Sequence, residues 1–379
     1  MKLRSALTLL GLGIGAMTVA VNQGCGDSES DGGTTSQEGR VPPKPEGSPT
    51  TSTEERTFAV NSIFLGETDR SGNRNKDAWK TYGYNLDGRI TNVANANSPD
   101  LNSVCKRVEG AAATVHQDGD DGIDNSFGKT ILNDLLTNFL STPSKTLSDA
   151  INDGSFTIML KVKGLTDEPE QTNTDLSATL LVGGSFSDDP NVKPTFSTSD
   201  DWPFLKDPQI PISGAYINKG VFVNGTGGAS VKLTLSIGGQ ALSLTINKAI
   251  ITFKHNPSTK SLEEGTIAGI INTNELIEGI GSVAGRFSTD LCEGSVVEGI
   301  KESIRQASDI LSDGTQDPSR TCDAISVGIG FTAKQVANPT KETEPGEVPP
   351  DPCQGGGGGG GDQDAGADAG GDPDAGDEG

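Results

Sequence analysis

Apolar and polar positions alternate along most of the chain, and the period of the alternation changes between two and about 3.6 residues. Residues 57–65 (TFAVNSIFL) are the first predicted β-strand. Residues 131–140 instead place Ile, Leu and Phe at helical spacing, and Pro143 is expected to end that helix. One more helical turn, closed by Gly154, should precede a return to period two over residues 156–162.

The second half of the chain continues the strand pattern. Residues 229–237 and 240–254 flank Gly238-Gly239, which predicts a β-hairpin, while residues 187–211 are rich in Pro and Asp and predict a loop. The other predicted elements are strands at 176–186, 212–224, 265–271 and 322–333, and helices at 273–284 and 293–311. Several short strands joined by Gly and Pro turns predict an α+β fold, with a sandwich-like antiparallel β-rich body and a few packed helices.

The first 24 residues have the pattern of a lipoprotein signal peptide. Lys2 and Arg4 precede an apolar run over 7–21, which is shorter than the roughly 18 apolar residues that a membrane span needs. Gly24 directly before Cys25 is typical of a lipoprotein signal, whose Cys carries palmitate-type acyl chains. Asn22 replaces the usual Leu, so cleavage by an ordinary signal peptidase is the alternative. The protein is predicted to bind the membrane through the acyl chains on Cys25.

Composition divides the rest of the chain into three parts. Residues 25–56 and 338–379 have hardly any large apolar side chain, which predicts a disordered tether and a disordered Gly-, Asp- and Ala-rich tail. The domain between them, 57–337, should be the single globular body. A formal net charge of −23, with the pronounced basic cluster confined to the N-terminus, argues against nucleic acid as a partner.

An acidic stretch at residues 116–128 (HQDGDDGIDNSFG) is the first candidate site. Carboxylate and amide oxygens interleaved with Gly suit Ca²⁺, which takes six to eight oxygen ligands. The predicted calcium ligands are Asp118, Asp120, Asp121, Asp124 and Asn125. Lys129 stands where an EF-hand would carry Glu, so the EF-hand pattern does not apply. The alternative is a solvated acidic turn that caps the following helix.

An aromatic loop at residues 78–88 (AWKTYGYNLDG) is the second candidate. Trp79, Tyr82 and Tyr84 together could form a platform on which a glycan or protein ligand stacks, or could fix the loop as a small hydrophobic cluster. Asn85 and Asp87 could share one cation with the acidic stretch.

The chain has five Cys, and an exported protein is expected to oxidise them. With Cys25 lipidated, a disulfide between Cys292 and Cys322 is predicted because both flank the last helix. Cys105 and Cys353 then remain, and pairing of Cys105 with Cys292 or Cys322 stays open.

Catalytic motifs are scarce in the sequence. There are two His and no zinc motif, nucleophile elbow or phosphate-binding loop, so no enzyme is expected. The alternative is a glycoside hydrolase that acts on envelope or extracellular polysaccharide through two carboxylates, because such a pair needs no fixed spacing.

The chain resembles uncharacterised surface lipoproteins of myxobacteria and related bacteria. The resembling pieces are the start ending at Cys25, GETDRSG with the aromatic loop, DGIDNSFG, CDAISVGIGF and the Asp-Ala-Gly tail. The resemblance implies a surface-exposed outer-membrane lipoprotein and a shared architecture, but no reaction. The predicted role is therefore a non-enzymatic binding or structural envelope protein.

Overall fold

Antiparallel strands dominate the structure, a computed structural model that describes residues 39–47, 52–93, 100–135, 142–225, 229–237, 240–287 and 294–344. The strands in this part of the chain are β1 (Glu55–Phe64), β2 (Thr157–Lys163), β3 (Asn173–Gly183), β4 (Phe204–Asn218), β5 (Val221–Val223), β6 (Ala229–Ile237), β7 (Gln240–Asn256), β8 (Ser261–Asn272), β9 (Ala324–Val336) and β10 (Glu342–Thr343). The α-helices are α1 (Pro143–Asn152), α2 (Thr273–Phe287) and α3 (Ser295–Gln306), with a π-helix at Phe127–Leu135 and short 3-10 helices at Ala78–Thr81, Ala113–His116 and Asp120–Gly122.

Eight of these strands close into a barrel. The order around the barrel is β1, β2, β3, β4, β5, β7, β8 and β9, and β9 pairs again with β1. Every neighbouring pair in this ring is antiparallel, and the ring closes where Tyr216 of β4 lies opposite Val223 of β5. The predicted α+β sandwich is therefore wrong: the fold is a closed, mostly β barrel with few helices. Inward-outward alternation is the same in both architectures, so the sequence pattern cannot separate them.

The interior of the barrel is filled by apolar side chains. One core cluster gathers Val, Ile, Leu, Phe and Ala side chains of β1, β2, β3, β7, β8 and β9. The space that Val60, Leu160, Ile251, Ile329 and their neighbours leave is a cavity of about 10 Å³. Such a volume holds at most one water molecule, so this cavity among the described residues does not accommodate a larger ligand.

The two ends of the barrel differ in their connections. At one end, called the turn end here, residues 219–220 join β4 to β5 and residues 257–260 join β7 to β8. At the other end, called the loop end, lie the longer connections β1–β2, β3–β4 and β8–β9, together with the β6–β7 hairpin. The predicted hairpin is present, although Gly238-Gly239 itself lies outside the described residues. Both candidate sites belong to the β1–β2 connection, so they start from the loop end.

Three predicted boundaries differ from the structure for local reasons. Pro143 begins α1, a helix of 10 residues where one helical turn was predicted, because Pro needs no partner for its nitrogen at the first helical position. β4 begins at Phe204, inside the segment predicted as a loop. α3 ends at Gln306, because Ile310 then pairs with Ala324 at the start of β9.

Parts of the predicted tether and tail lie on the barrel. Residues 39–43, called the strap here, accept three hydrogen bonds: Gly39 O from Asn85 N (2.7 Å), Pro42 O from the Tyr216 hydroxyl (2.5 Å) and Pro43 O from Asn218 Nδ2 (3.0 Å). β10 pairs in parallel with β4. The predicted signal peptide, Cys25, the rest of the predicted tether and residues 345–379 lie outside the described residues.

Candidate functional site

The acidic stretch and the aromatic loop pack against each other on the outside of the barrel. Asp124 N donates to Tyr84 O (3.1 Å), and Asp118 N donates to Thr91 O (3.1 Å), just beyond the aromatic loop. Both segments lie over β9, where Gly328 and Gly330 leave room for Tyr82; a Cβ at either position would collide with its backbone or ring. The two segments that could share a cation are therefore brought together.

Asn125 fixes this packing through both ends of its amide. Nδ2 donates to the carbonyls of Trp79 (3.2 Å), Tyr82 (3.1 Å) and Gly328 (3.1 Å). Oδ1 accepts from Gly128 N (2.9 Å) and Gly328 N (3.0 Å). The amide is buried and committed to backbone groups of the aromatic loop, the acidic stretch and β9, so its oxygen is already occupied.

The carboxylates of Asp118 and Asp124 are held by backbone amides of the facing segment. Asp118 Oδ2 accepts from Thr91 N, and Asp124 Oδ2 accepts from Leu86 N (2.7 Å) and Asp87 N (3.4 Å). Burial raises the pKa of Asp118 to about 8, with Asp87 adding to the shift. Burial, followed by the charge of Asp87, also raises the pKa of Asp124 well above its ordinary range. The crevice between the acidic stretch and the aromatic loop therefore favours either protonated carboxyl groups or a bound cation.

The other predicted oxygen ligands differ from Asp118 and Asp124 in their exposure and in their hydrogen-bond partners. Asp120 and Asp121 are exposed, whereas Asn85 Oδ1 is buried without a protein partner. Asp87 accepts from Arg89 N (2.8 Å) and from Gln316 Nε2 (2.8 Å). The carboxylates near this crevice do not gather within 4.8 Å of one another as a set of three, so in this structure they surround the crevice without forming a closed ligand shell.

Two charged residues beside the acidic stretch were missed by the sequence analysis. Asp309 is buried, accepts from Ser326 N (2.8 Å), and has its pKa raised to about 6 by burial. Lys129 Nζ donates to the carbonyls of Thr114 (3.0 Å), Val115 (2.7 Å) and Gln117 (2.6 Å), and burial lowers its pKa to about 8. The signal for Asp309 was its place within the apolar run Ala307, Ile310 and Leu311.

The three predicted ligand-stacking aromatics face the protein. Trp79 is 5% exposed and Tyr82 is 0% exposed. The Tyr82 hydroxyl donates to Thr68 O (3.0 Å), and the Arg70 guanidinium lies 5.0 Å from its ring centroid. The Tyr84 hydroxyl lies 2.7 Å from Thr252 Oγ1 on β7. This placement matches the interpretation in which the aromatics fix the loop.

The disulfide joins Cys105 to Cys322 across 217 residues of sequence. The predicted pairing of Cys322 with Cys292 is therefore wrong, because a parallel bridge between Lys106 and Thr321 places Cys105 beside Cys322. This is one of the alternatives that the sequence left open. Cys25, Cys292 and Cys353 lie outside the described residues.

His116, the first residue of the acidic stretch, lies beside this disulfide. Its Nδ1 is 3.1 Å from Asp309 O and its Nε2 is 3.9 Å from Cys322 Sγ. The imidazole is buried, and burial lowers its pKa to about 4.

A second buried polar region lies at the turn end. His255 on β7 is 2% exposed, and neither of its ring nitrogens has a hydrogen-bond partner. Burial lowers its pKa to about 4, and the positive charge of Arg56 adds to the shift. Arg56 itself forms ion pairs with Glu54 (2.9 Å) and Asp167 (2.9 Å).

Comparison with protein-family models, curated proteins and solved structures finds no match to this chain. Among the described residues, no helix is both long enough and apolar enough to cross a membrane.

Proposed function

We propose that this protein is an exported, lipid-anchored protein of the cell surface whose barrel is a non-enzymatic binding or structural body stabilised by calcium. The proposed location at the cell surface rests on the N-terminal pattern ending at Cys25 and on the resemblance to bacterial surface lipoproteins. The non-enzymatic role is supported by the filled barrel interior and by the burial of both His in the core. A glycan or protein ligand would bind the outer surface.

The observation that carries the calcium part is the crevice between the acidic stretch and the aromatic loop. Two carboxylates, Asp118 and Asp124, share it with Asp87, and their burial penalises their charge. Asn85 Oδ1 adds a buried carbonyl oxygen without a partner. Hard oxygen ligands of this kind suit Ca²⁺, which would draw the carboxylates together and neutralise them.

The test is a thermal melt of the full chain at pH 8, with Ca²⁺ and with excess chelator. A ligand that binds the folded state alone stabilises it by about 2.7 kcal/mol at a concentration 100 times its Kd. We expect an upward shift with Ca²⁺ that is abolished in the double variant Asp118→Asn/Asp124→Asn. The matched control Asp120→Asn/Asp121→Asn removes two exposed carboxylates of the same stretch and should keep the shift.

The shift should also depend on pH. A carboxyl with a raised pKa keeps its proton in the folded state, so the calcium-free protein loses stability as pH rises from about 4 to 8. Protons compete with Ca²⁺ at low pH, so the calcium shift should be smaller at pH 5 than at pH 8. Equal melts with Ca²⁺ and chelator at pH 8 would refute the calcium part and leave Asp118 and Asp124 as protonated structural groups.

A further inference from the structure

Three soft or borderline metal ligands meet beside the acidic stretch. Cys105 Sγ, Cys322 Sγ and His116 Nε2 all lie within 4.8 Å of one another, and the three residues are buried. Cys105 lies in the β1–β2 connection, His116 ends a 3-10 helix of that connection, and Cys322 lies two residues before the start of β9. Long-range contacts hold these positions, since Cys322 N donates to Lys106 O (2.9 Å) and Lys106 N donates to Arg320 O (2.7 Å).

The orientation of His116 is that of a metal-ligating imidazole. Its Nδ1 faces the carbonyl of Asp309 (3.1 Å), which assigns the proton to Nδ1 because a carbonyl only accepts. Nε2 therefore presents its lone pair toward Cys322 Sγ, 3.9 Å away. In metal sites the non-ligating ring nitrogen commonly donates to a backbone carbonyl in this way, which fixes the tautomer and the ring direction.

We propose that Cys105, His116 and Cys322 form a Zn²⁺ site when the disulfide is reduced. A dithiol reductant supplies two electrons and two protons, the S–S bond breaks, and the reductant becomes a disulfide. Zn²⁺ then displaces both thiol protons and binds two thiolates and one neutral imidazole. The charges of Zn²⁺ and the two thiolates cancel, which suits a buried position.

The chemistry of the ligands selects this class of metal. Thiolate sulfur and imidazole nitrogen prefer Zn²⁺ to the hard cations Ca²⁺ and Mg²⁺. Three protein ligands leave the fourth tetrahedral position for water or a small exogenous ligand. Because the same two sulfur atoms make either the disulfide or the metal bonds, oxidation and zinc binding exclude each other. The proposal uses none of the calcium ligands and is independent of the calcium part.

The test uses the full chain with Cys25, Cys292 and Cys353 replaced by Ser, reduced and then titrated anaerobically with Co²⁺ as a spectroscopic stand-in for Zn²⁺. We expect one Co²⁺ per chain, with sulfur-to-cobalt charge-transfer absorption and tetrahedral ligand-field bands that Zn²⁺ abolishes. Zinc binding should release two protons per ion at a pH below the thiol pKa, and the oxidised protein should bind none.

Two variants separate the site from general thiol chemistry. His116→Asn should weaken Co²⁺ binding at least tenfold, while His255→Leu, which changes the other buried imidazole, should leave the affinity unchanged. Cys105→Ser/Cys322→Ser should remove the charge-transfer band.

Near-UV circular dichroism reports whether the reduced chain stays folded. A folded reduced protein that binds no Co²⁺, or binds it without the sulfur band, overturns the proposal. If reduction unfolds the chain, Zn²⁺ should refold it, because a structural zinc site couples binding to folding; failure to refold overturns the proposal equally.

Discussion

The acidic stretch and the turn end both bury polar groups, and they use these groups in different ways. Around the acidic stretch, Asn125, Asp118 and Asp124 bind backbone groups of neighbouring segments and so determine the path of two loops. At the turn end, His255 lies in the core without a hydrogen-bond partner, and Arg56 pairs with carboxylates that reach into solvent. The first region specifies structure, whereas the second is tolerated within a core built by apolar contacts.

The ionisable groups of the two regions also make the stability of the protein depend on pH. Raised pKa values at Asp118 and Asp309 make the carboxylates of the first region destabilising as pH rises. A lowered pKa makes His255 destabilising as pH falls, and His116 shares that sign. Stability should therefore decline toward both extremes, because the carboxylates of the first region act as pH rises and the two His act as pH falls.

The largest effect should come from Asn125→Ala. This change leaves three backbone carbonyls and two backbone N–H groups of the aromatic loop, the acidic stretch and β9 without the Asn125 amide as their partner. We therefore expect a loss of about 4 kcal/mol in the free energy of unfolding. Urea denaturation measures it. Asn152→Ala removes an exposed amide and should cost no more than about 0.5 kcal/mol. A loss below about 1 kcal/mol at Asn125 would show that the packing of the acidic stretch against the aromatic loop does not depend on this amide.

A smaller and pH-dependent effect should come from His255→Leu. The folded-state pKa of about 4 lies below the ordinary 6.5, so the unfolded chain takes up the proton first as pH falls. The protein should therefore lose up to about 3 kcal/mol through this residue between pH 6.5 and 4. Denaturation curves of the two proteins across this window should diverge, with His255→Leu keeping the stability that the natural chain loses. Parallel curves would place the acid sensitivity elsewhere, with His116 the next candidate.

The smallest effect should come from Asp167→Asn at the turn end. Asp167 is 84% exposed, so its ion pair with Arg56 is screened, and we expect a loss of about 0.5 kcal/mol that about 1 M salt removes. Asp149→Asn, which breaks a pair exposed on both sides, is the matched control. A loss above about 2 kcal/mol would mean that the buried Arg56 guanidinium depends on Asp167, and would weaken the contrast between the two regions.

The strands could be predicted where apolar side chains recur at every second position, as at Phe156, Ile158, Leu160 and Val162, which all lie in the barrel core. Barrel closure could not, because it depends on β5, which has three residues, and on β4, whose first half carries Pro208 and Pro211 on a mostly exposed surface. In the sequence, these prolines are typical of a loop. Their strand conformation is stabilised by pairing with β3.

The sequence singled out the acidic stretch and the aromatic loop, but it did not show which groups already bind their side chains. The spacing of Asp118 and Asp124 indicated oxygen ligands, but the backbone amides that already bind them belong to the aromatic loop and to Thr91 just beyond it, more than 25 residues earlier in the chain. The disulfide likewise depends on the bridge between Lys106 and Thr321, which no local pattern encodes. Contacts between distant segments therefore decide the chemistry of the acidic stretch.

The strap determines how mechanical load would enter the barrel. Tension applied through residues before Gly39 acts first on the hydrogen bond between Gly39 O and Asn85 N, beside the acidic stretch. The contacts of Pro42 and Pro43 with β4 would then detach one after another before any force reaches β1. Sequential detachment requires less force than shearing β1 from both neighbours at once. The strap would therefore yield before the barrel and pass the first strain to the proposed calcium crevice.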